Sequence, residues 1–99
     1  MEWAELLAAC TGFEWDNGNA TKIWTKHRVS PAECEQALLN RPLVVADDAH
    51  SQRENRWYAL GRTDNDRLLF AVFTVRDHLI RVISARDMSR KERKVYRES

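Results

Sequence analysis

The residues able to do chemistry on an anion are concentrated in one half of this 99-residue chain, and most of them are arginines. Residues 1–50 hold 4 basic groups against 8 acidic ones, a net of −4, whereas residues 51–99 hold 12 against 7, a net of +5. Of the 16 cations, 12 are arginine, whose planar fork makes paired contacts to phosphate that lysine cannot. The overall charge of +1 taken alone argues against a nucleic-acid partner. The unlike halves leave room for a basic face.

Spacing assigns some of these side chains to faces. In the run Arg56–Thr63 a period of two puts Arg56, Tyr58, Leu60 and Arg62 on one side of a strand. In Leu79–Ala85, Arg81 shares a face with Leu79, Ile83 and Ala85, and strict alternation sends Arg86 to the other face unless the strand has ended. An arginine among apolar strand neighbours must find a phosphate, a carboxylate such as Asp77 or Glu54, or water at the sheet edge. His27 lies one helical turn after Ile23, as a hydrogen-bonded helix-end residue or an acid–base group. Lys26 is about 100° around that helix and aligns with Lys22.

Other chemistries find little support. Asp47, Asp48, His50 and Glu54 share a polar loop, but their spacing matches no metal motif, and neither metal nor other cofactor is expected. Gly12, Gly18 and Gly61 are too scattered for a phosphate loop. No serine or cysteine sits in a nucleophile motif. Cys10 and Cys34 form no CxxC and read as small buried apolar residues in a reducing compartment. The longest apolar run, Leu68 to Val75, is too short to span a bilayer, and no basic segment precedes the apolar stretch near Met1, so a cytoplasmic protein without membrane contact is expected. What fits is substrate-assisted chemistry on RNA, in which a ribose 2′-hydroxyl attacks its own phosphate and the protein supplies a base, an acid and cations. The same residue types would serve a module that binds without cleaving.

The elements that must position these groups follow from periodicity and punctuation. Trp3, Leu6, Leu7 and Cys10 predict a short helix ended by Gly12, so residues 1–12 form an N-terminal helical extension of a single domain spanning 1–99. Phe13–Trp15 reads as a short strand and Asp16–Asn19 as a turn. Ala20, Ile23, Trp24 and His27 mark one face of a second helix. Ser30-Pro31-Ala32-Glu33 and Ser89-Arg90-Lys91-Glu92 are capping boxes that open helices to about Asn40 and Glu98. Pro42 leads into an extended run, Leu43–Ala46. Arg56–Thr63, Arg67–Val75 and Leu79–Ala85 are joined by short turns and so are antiparallel neighbours. The expected class is α+β: a small antiparallel meander of three to four strands, helices on one face and the other face open.

These residues carry a resemblance. Phe13-Glu14-Trp15-Asp16, Lys26-His27, Val29-Ser30 and His50-Ser51 with Glu54 and Arg56 resemble the BrnT toxins. So do Leu60-Gly61-Arg62-Thr63, Arg67-Leu68-Leu69, the run Ile80-Arg81-Val82-Ile83-Ser84-Ala85-Arg86, and the tail Ser89 to Tyr96. The resemblance covers nearly everything from Phe13 onward. It departs at Ile23, where Asn is common, and at Arg28, where Gly is common. It implies a RelE-like fold and the toxin of a type II toxin–antitoxin pair that cleaves RNA without metal and arrests translation. Its partner would be a BrnA-like ribbon-helix-helix antitoxin, with DNA touched only through that complex. Site residues carried over on this basis are Lys26, His27, Glu54, Arg56, Arg62, Arg81 and Arg86 for catalysis, and His50, Arg93 and Tyr96 for holding nucleic acid.

Overall fold

The structure, a computed structural model, describes residues 3–47 and 55–99, so Asp48, His50 and Glu54 lie outside the described residues. The order is α1 (Trp3–Ala8), β1 (Gly12–Phe13), a π-helical turn (Asn17–Thr21), α2 (Lys22–His27), α3 (Pro31–Leu39), β2 (Leu43–Ala46), β3 (Arg56–Arg62), β4 (Leu68–Arg76), β5 (Leu79–Asp87) and α4 (Arg90–Arg97). Both capping boxes form as expected. The hydroxyl of Ser30 accepts from the Glu33 amide while the Glu33 carboxylate accepts from the Ser30 amide, and Ser89 with Glu92 repeats the exchange. Each box satisfies two amides that a helix start leaves without partners.

The sheet order is β1-β5-β4-β3-β2. The meander β2 to β5 is antiparallel, but β1 joins β5 in parallel, with Gly12 opposite Leu79 and Phe13 opposite Ile80. The expected three- to four-stranded antiparallel sheet is therefore corrected to a five-stranded mixed one. Backbone bonds from Thr11 to the His78 carbonyl (2.8 Å) and from Glu14 to the Ile80 carbonyl (2.9 Å) secure the added strand. The short strand expected over Phe13–Trp15 forms at Gly12–Phe13, and its partner lies too far along the chain for local pattern to reveal the parallel pairing.

Helices α1 to α3 cover one face, while α4 lies against part of the other, which corrects the expectation that the helices share one face and leave the opposite one open. Ala59 of β3, Leu69, Ala71 and Phe73 of β4, and Ile80, Val82 and Ala85 of β5 form one buried cluster with Ile23, Val29, Cys34, Ala37 and Leu38. Trp57 stacks on Phe73 at 5.9 Å beside it. Strand β3 and α3 approach so closely that a Cβ at Gly61 would overlap the Ala37 carbonyl oxygen. Cys34 is fully buried, and burial first, then the charges of Glu33 and Glu35, pushes its thiol up to about 12. That thiol is inert at neutral pH.

The segment expected to be a turn and a helix is instead one wound unit. Asp16 caps the π-helical turn through Gly18 and Asn19. Buried Asn19 donates to the carbonyls of Glu14 (3.1 Å) and Val82 (3.0 Å) and accepts from the amides of Asp16 (2.8 Å) and Ala20 (3.0 Å). All its hydrogen-bonding capacity is used, as burial demands. A π-helical turn holds more residues than an α-helical one, so the apolar face does not continue through it in register. Ile23 is buried as expected, while Trp24, expected beside it, is 45% exposed.

Arg67 ties the lower end together. Its guanidinium donates to both oxygens of Asp87 (2.8 and 3.2 Å), to Glu33 (3.1 Å), and to the carbonyls of Arg28 (2.8 Å) and His27 (3.3 Å). One side chain thus joins the ends of α2 and β5 to the start of α3. Arg67 hydrogen bonds hold the Asp87 carboxyl below the usual range. Burial opposes ionisation of Glu33, but the Ser30 amide and Arg67 outweigh it and lower this group too.

Three measurements follow from this packing. Carboxyls depressed in the folded state stabilise it above their unfolded values near about pH 4 and lose that contribution as pH falls through the lower folded values. The unfolding free energy from urea titration should drop between pH 6 and pH 3, with a slope of about 1.4 kcal/mol per pH unit for each extra proton the unfolded chain binds. Glu33→Gln should flatten that profile; an acid-indifferent midpoint in the unaltered chain would count against the cluster. Gly61→Ala should cost about 1–3 kcal/mol in denaturant unfolding, because α3 must move away from β3. Arg28 caps α2 in the left-handed region (φ 53°) with its guanidinium 5.4 Å over the Trp24 ring. Relief of about 1–2 kcal/mol of backbone strain exceeds an exposed cation–π contact worth about 0.5–1 kcal/mol. Arg28→Gly should therefore raise unfolding stability slightly, by about 0.5 kcal/mol.

Candidate functional site

A single irregularity gathers the arginines. Across β4 and β5 the pairs run Thr74 with Arg81, Phe73 with Val82, Val72 with Ser84, Ala71 with Ala85 and Phe70 with Arg86, so Ile83 has no partner. This β-bulge shifts the alternation by one residue. Thr74 and Phe70 share a face of β4, and Arg81 and Arg86 therefore share one too. The expectation from strict alternation, which separated them, is corrected, and so is the grouping of Arg81 with Ala85. Arg56 also pairs with Thr74, and Arg62 with Leu68. All four arginines lie on the sheet face opposite α3. The row Arg56–Thr74–Arg81 covers two strand spacings, roughly 10 Å.

Each arginine has a distinct environment. Arg81, its side chain 20% exposed, reaches Glu14 at 3.2 Å and both oxygens of Asp16 at 3.0 and 3.2 Å. Its partners are thus these two carboxylates, with Asp77 playing no part in those bonds. Arg81 hydrogen bonds hold Asp16 below the usual carboxyl range. Arg86 meets Glu92 through two parallel bonds of 2.8 and 3.0 Å, and sits 4.3 Å over the Phe70 ring. That pairing, against the opposing effect of burial, lowers Glu92 and raises Arg86. Arg62 has a loose exposed contact to Asp66 at 3.6 Å. Arg56 lines an open pocket of about 450 Å³ with Asp47, Tyr58, Phe70 and Val72.

Helix α4 rests on the lower part of this face. Its Lys91, Glu92 and Val95 border a 400 Å³ pocket floored by Tyr58, Leu60 and Phe70. Arg93 donates to the Met88 carbonyl at 3.1 Å and so closes the turn into α4. Tyr96 shares a separate cleft with Arg62. Lys26 and His27 belong elsewhere: they end α2 on the helix-covered side, with Lys26 exposed and the His27 carbonyl bonded to Arg67. The charge of His27 contributes to the lowering of Asp87. The fold thus brings Arg56, Arg62, Arg81, Arg86 and Tyr96 to one side and keeps Lys26 and His27 on the other. His50 and Glu54 lie outside the described residues.

The counter-carboxylates Glu14, Asp16 and Glu92, and the whole Arg67 cluster, are not visible in sequence reasoning. Glu92 had a signal, since the third residue of a capping box lies one helical turn from its cap. Glu14 and Asp16 had none, being 67 and 65 residues from Arg81. Chemically, the face offers guanidiniums that can hold phosphate oxygens and, at Arg81, carboxylates close enough to exchange places with one. Among the described residues no three His, Cys, Asp or Glu side chains cluster as a metal site, and no helix is long and apolar enough to cross a membrane.

No curated protein matches the sequence. The family model of the ribonuclease toxin BrnT of type II toxin–antitoxin systems matches residues 15–92, a span that includes all four arginines together with Asp16 and Glu92. With most of its length matched, the chain belongs to the BrnT family of ribonuclease toxins.

Proposed function

We propose that this chain cleaves RNA without a metal, on the sheet face that carries Arg56, Arg62, Arg81 and Arg86. The reading rests on the bulge at Ile83, which puts Arg81 and Arg86 on the same side as Arg56 and Arg62. Phosphoryl chemistry of this kind needs converging donors where negative charge builds. Arg56 and Arg81 hold the non-bridging oxygens of the scissile phosphate, while Arg86 holds the strand beside it and Arg62 holds it further along. Glu54 takes the proton of the 2′-hydroxyl; its oxygen bonds to phosphorus, and the bond to the 5′-oxygen breaks. His50 returns a proton to that leaving oxygen. The products are a 2′,3′-cyclic phosphate and a free 5′-hydroxyl. Lys26 and His27 serve RNA entering from the α2 side.

In this reading the fold is RelE-like, the protein acts in the cytoplasm, and its cleavage arrests translation. A BrnA-like ribbon-helix-helix antitoxin covers the arginine face, and DNA is contacted only through that complex. A second reading, a module that binds RNA or antitoxin without cutting, draws on one observation: Arg81 and Arg86 are already engaged by carboxylates.

Purified protein should cleave single-stranded RNA in excess chelator, leaving cyclic-phosphate ends. Arg56→Ala with Arg81→Ala should slow cleavage by at least about 10²–10³-fold and relieve growth arrest on induction. Arg81→Lys, with circular dichroism unchanged, separates lost chemistry from lost folding. RNA left intact by a folded, unaltered chain that still shifts it in a gel would establish the binding module instead.

A further inference from the structure

At the lower end of the arginine face, a cleft of about 530 Å³ is lined by Leu39, Arg41, Arg62 and Tyr96 among others. Its features are unusual for a solvated edge. Leu39, one helical residue before the Asn40 cap, is 69% exposed there. Arg41 follows that cap in the left-handed region at φ 49°, a position that favours glycine. Among the described residues Arg41 has no hydrogen-bond or ion-pair partner. Arg62 is held only by its exposed 3.6 Å contact to Asp66. Asp64, the other carboxylate on the rim, already accepts from the Asn40 amide at 2.9 Å. The left-handed turn at Arg41 leads the chain out of α3, as the one at Arg28 does for α2, and it leaves a cation with no partner among the described residues beside an exposed apolar side chain and a tyrosine.

We propose that this cleft is a second RNA subsite, taking one unpaired nucleotide of the strand whose scissile phosphate lies near Arg56. Arg41 and Arg62 receive its phosphate, and the base lies against Tyr96 and Leu39. Single-stranded recognition elsewhere uses the same pairing of cations with a stacking surface. Arg62 is six strand residues from Arg56, roughly 20 Å, so the subsite acts on a nucleotide several positions from the cut. The inference rests on the RNA-cleaving reading above and adds to it a length requirement for the substrate.

The test is fluorescence anisotropy with an uncleavable, 2′-O-methylated RNA ten-mer across a salt series. Arg41→Gly removes the charge while relieving the backbone, so the melting temperature should hold or rise. Affinity should fall about five- to tenfold, and the slope of log K against log salt should shrink by about 0.7. Tyr96→Leu should weaken binding about tenfold with the salt slope kept. Arg41→Lys should restore the slope. If Arg41→Gly binds with the affinity and slope of the unaltered chain while cleavage of long RNA persists, the subsite is overturned and the cleavage reading stands. If the unaltered chain neither binds the ten-mer nor cleaves RNA, both are overturned.

Discussion

The lower half of this fold depends on one guanidinium. Arg67 immediately precedes the central strand and donates to two carboxylates and two backbone carbonyls drawn from three other segments. These partly exposed groups are joined by charge-assisted bonds to one side chain, which ties α2, α3 and the end of β5 to one another. The arginine face inherits that constraint. Asp87 is the residue after Arg86, and fixing its carboxylate on one side of β5 directs the Arg86 side chain to the other, over Phe70 and toward Glu92.

The charge asymmetry of the sequence acquires a structural meaning here. The acidic half does not stand apart from the basic half; it is folded into it. Glu14 and Asp16 neutralise Arg81, and Glu33 helps neutralise Arg67. The near-zero total set by composition is thus spread over internal pairs, while Arg62 and Arg41 keep their outward charge at the edge. Pairing of this kind also sets a threshold: an anion reaching Arg81 must replace contacts that already exist, so weakly held anions gain little there.

Local rules were legible and long-range ones were not. Ser30 and Ser89 announce their helices because a capping box is complete within four residues, and Leu43–Ala46 and the three long strands follow from Pro42 and simple alternation. Ala37 and Leu38 were expected to be buried, and they are. The short strand at Phe13 was legible, but its parallel pairing with β5 escaped because the partner lies far along the chain, and the π-helical turn because its organising bonds run from Asn19 to Glu14 and Val82. Of the site, the residue types and the sharing of a face by Arg56 and Arg62 were readable. The company of Arg81 and Arg86 was not, because the unpaired Ile83 leaves no mark in residue type.

That unpaired residue lies inside an odd separation between two arginines of β5. Arg81 and Arg86 are five positions apart, a separation that in a regular strand points two side chains in opposite directions. The face therefore exists only while one residue is held out of register, and its integrity is a matter of parity as much as of chemistry. Deleting Ile83 would remove the bulge and leave the arginines four apart, still on one face, with Val82 and Ala85 still inward. Flattening the bulge at unchanged length would instead drive one cation into the core or pull Ala85 out of it. A change of length along β5 keeps this face only where it creates or removes a bulge in step, a constraint that substitutions at the same positions do not meet.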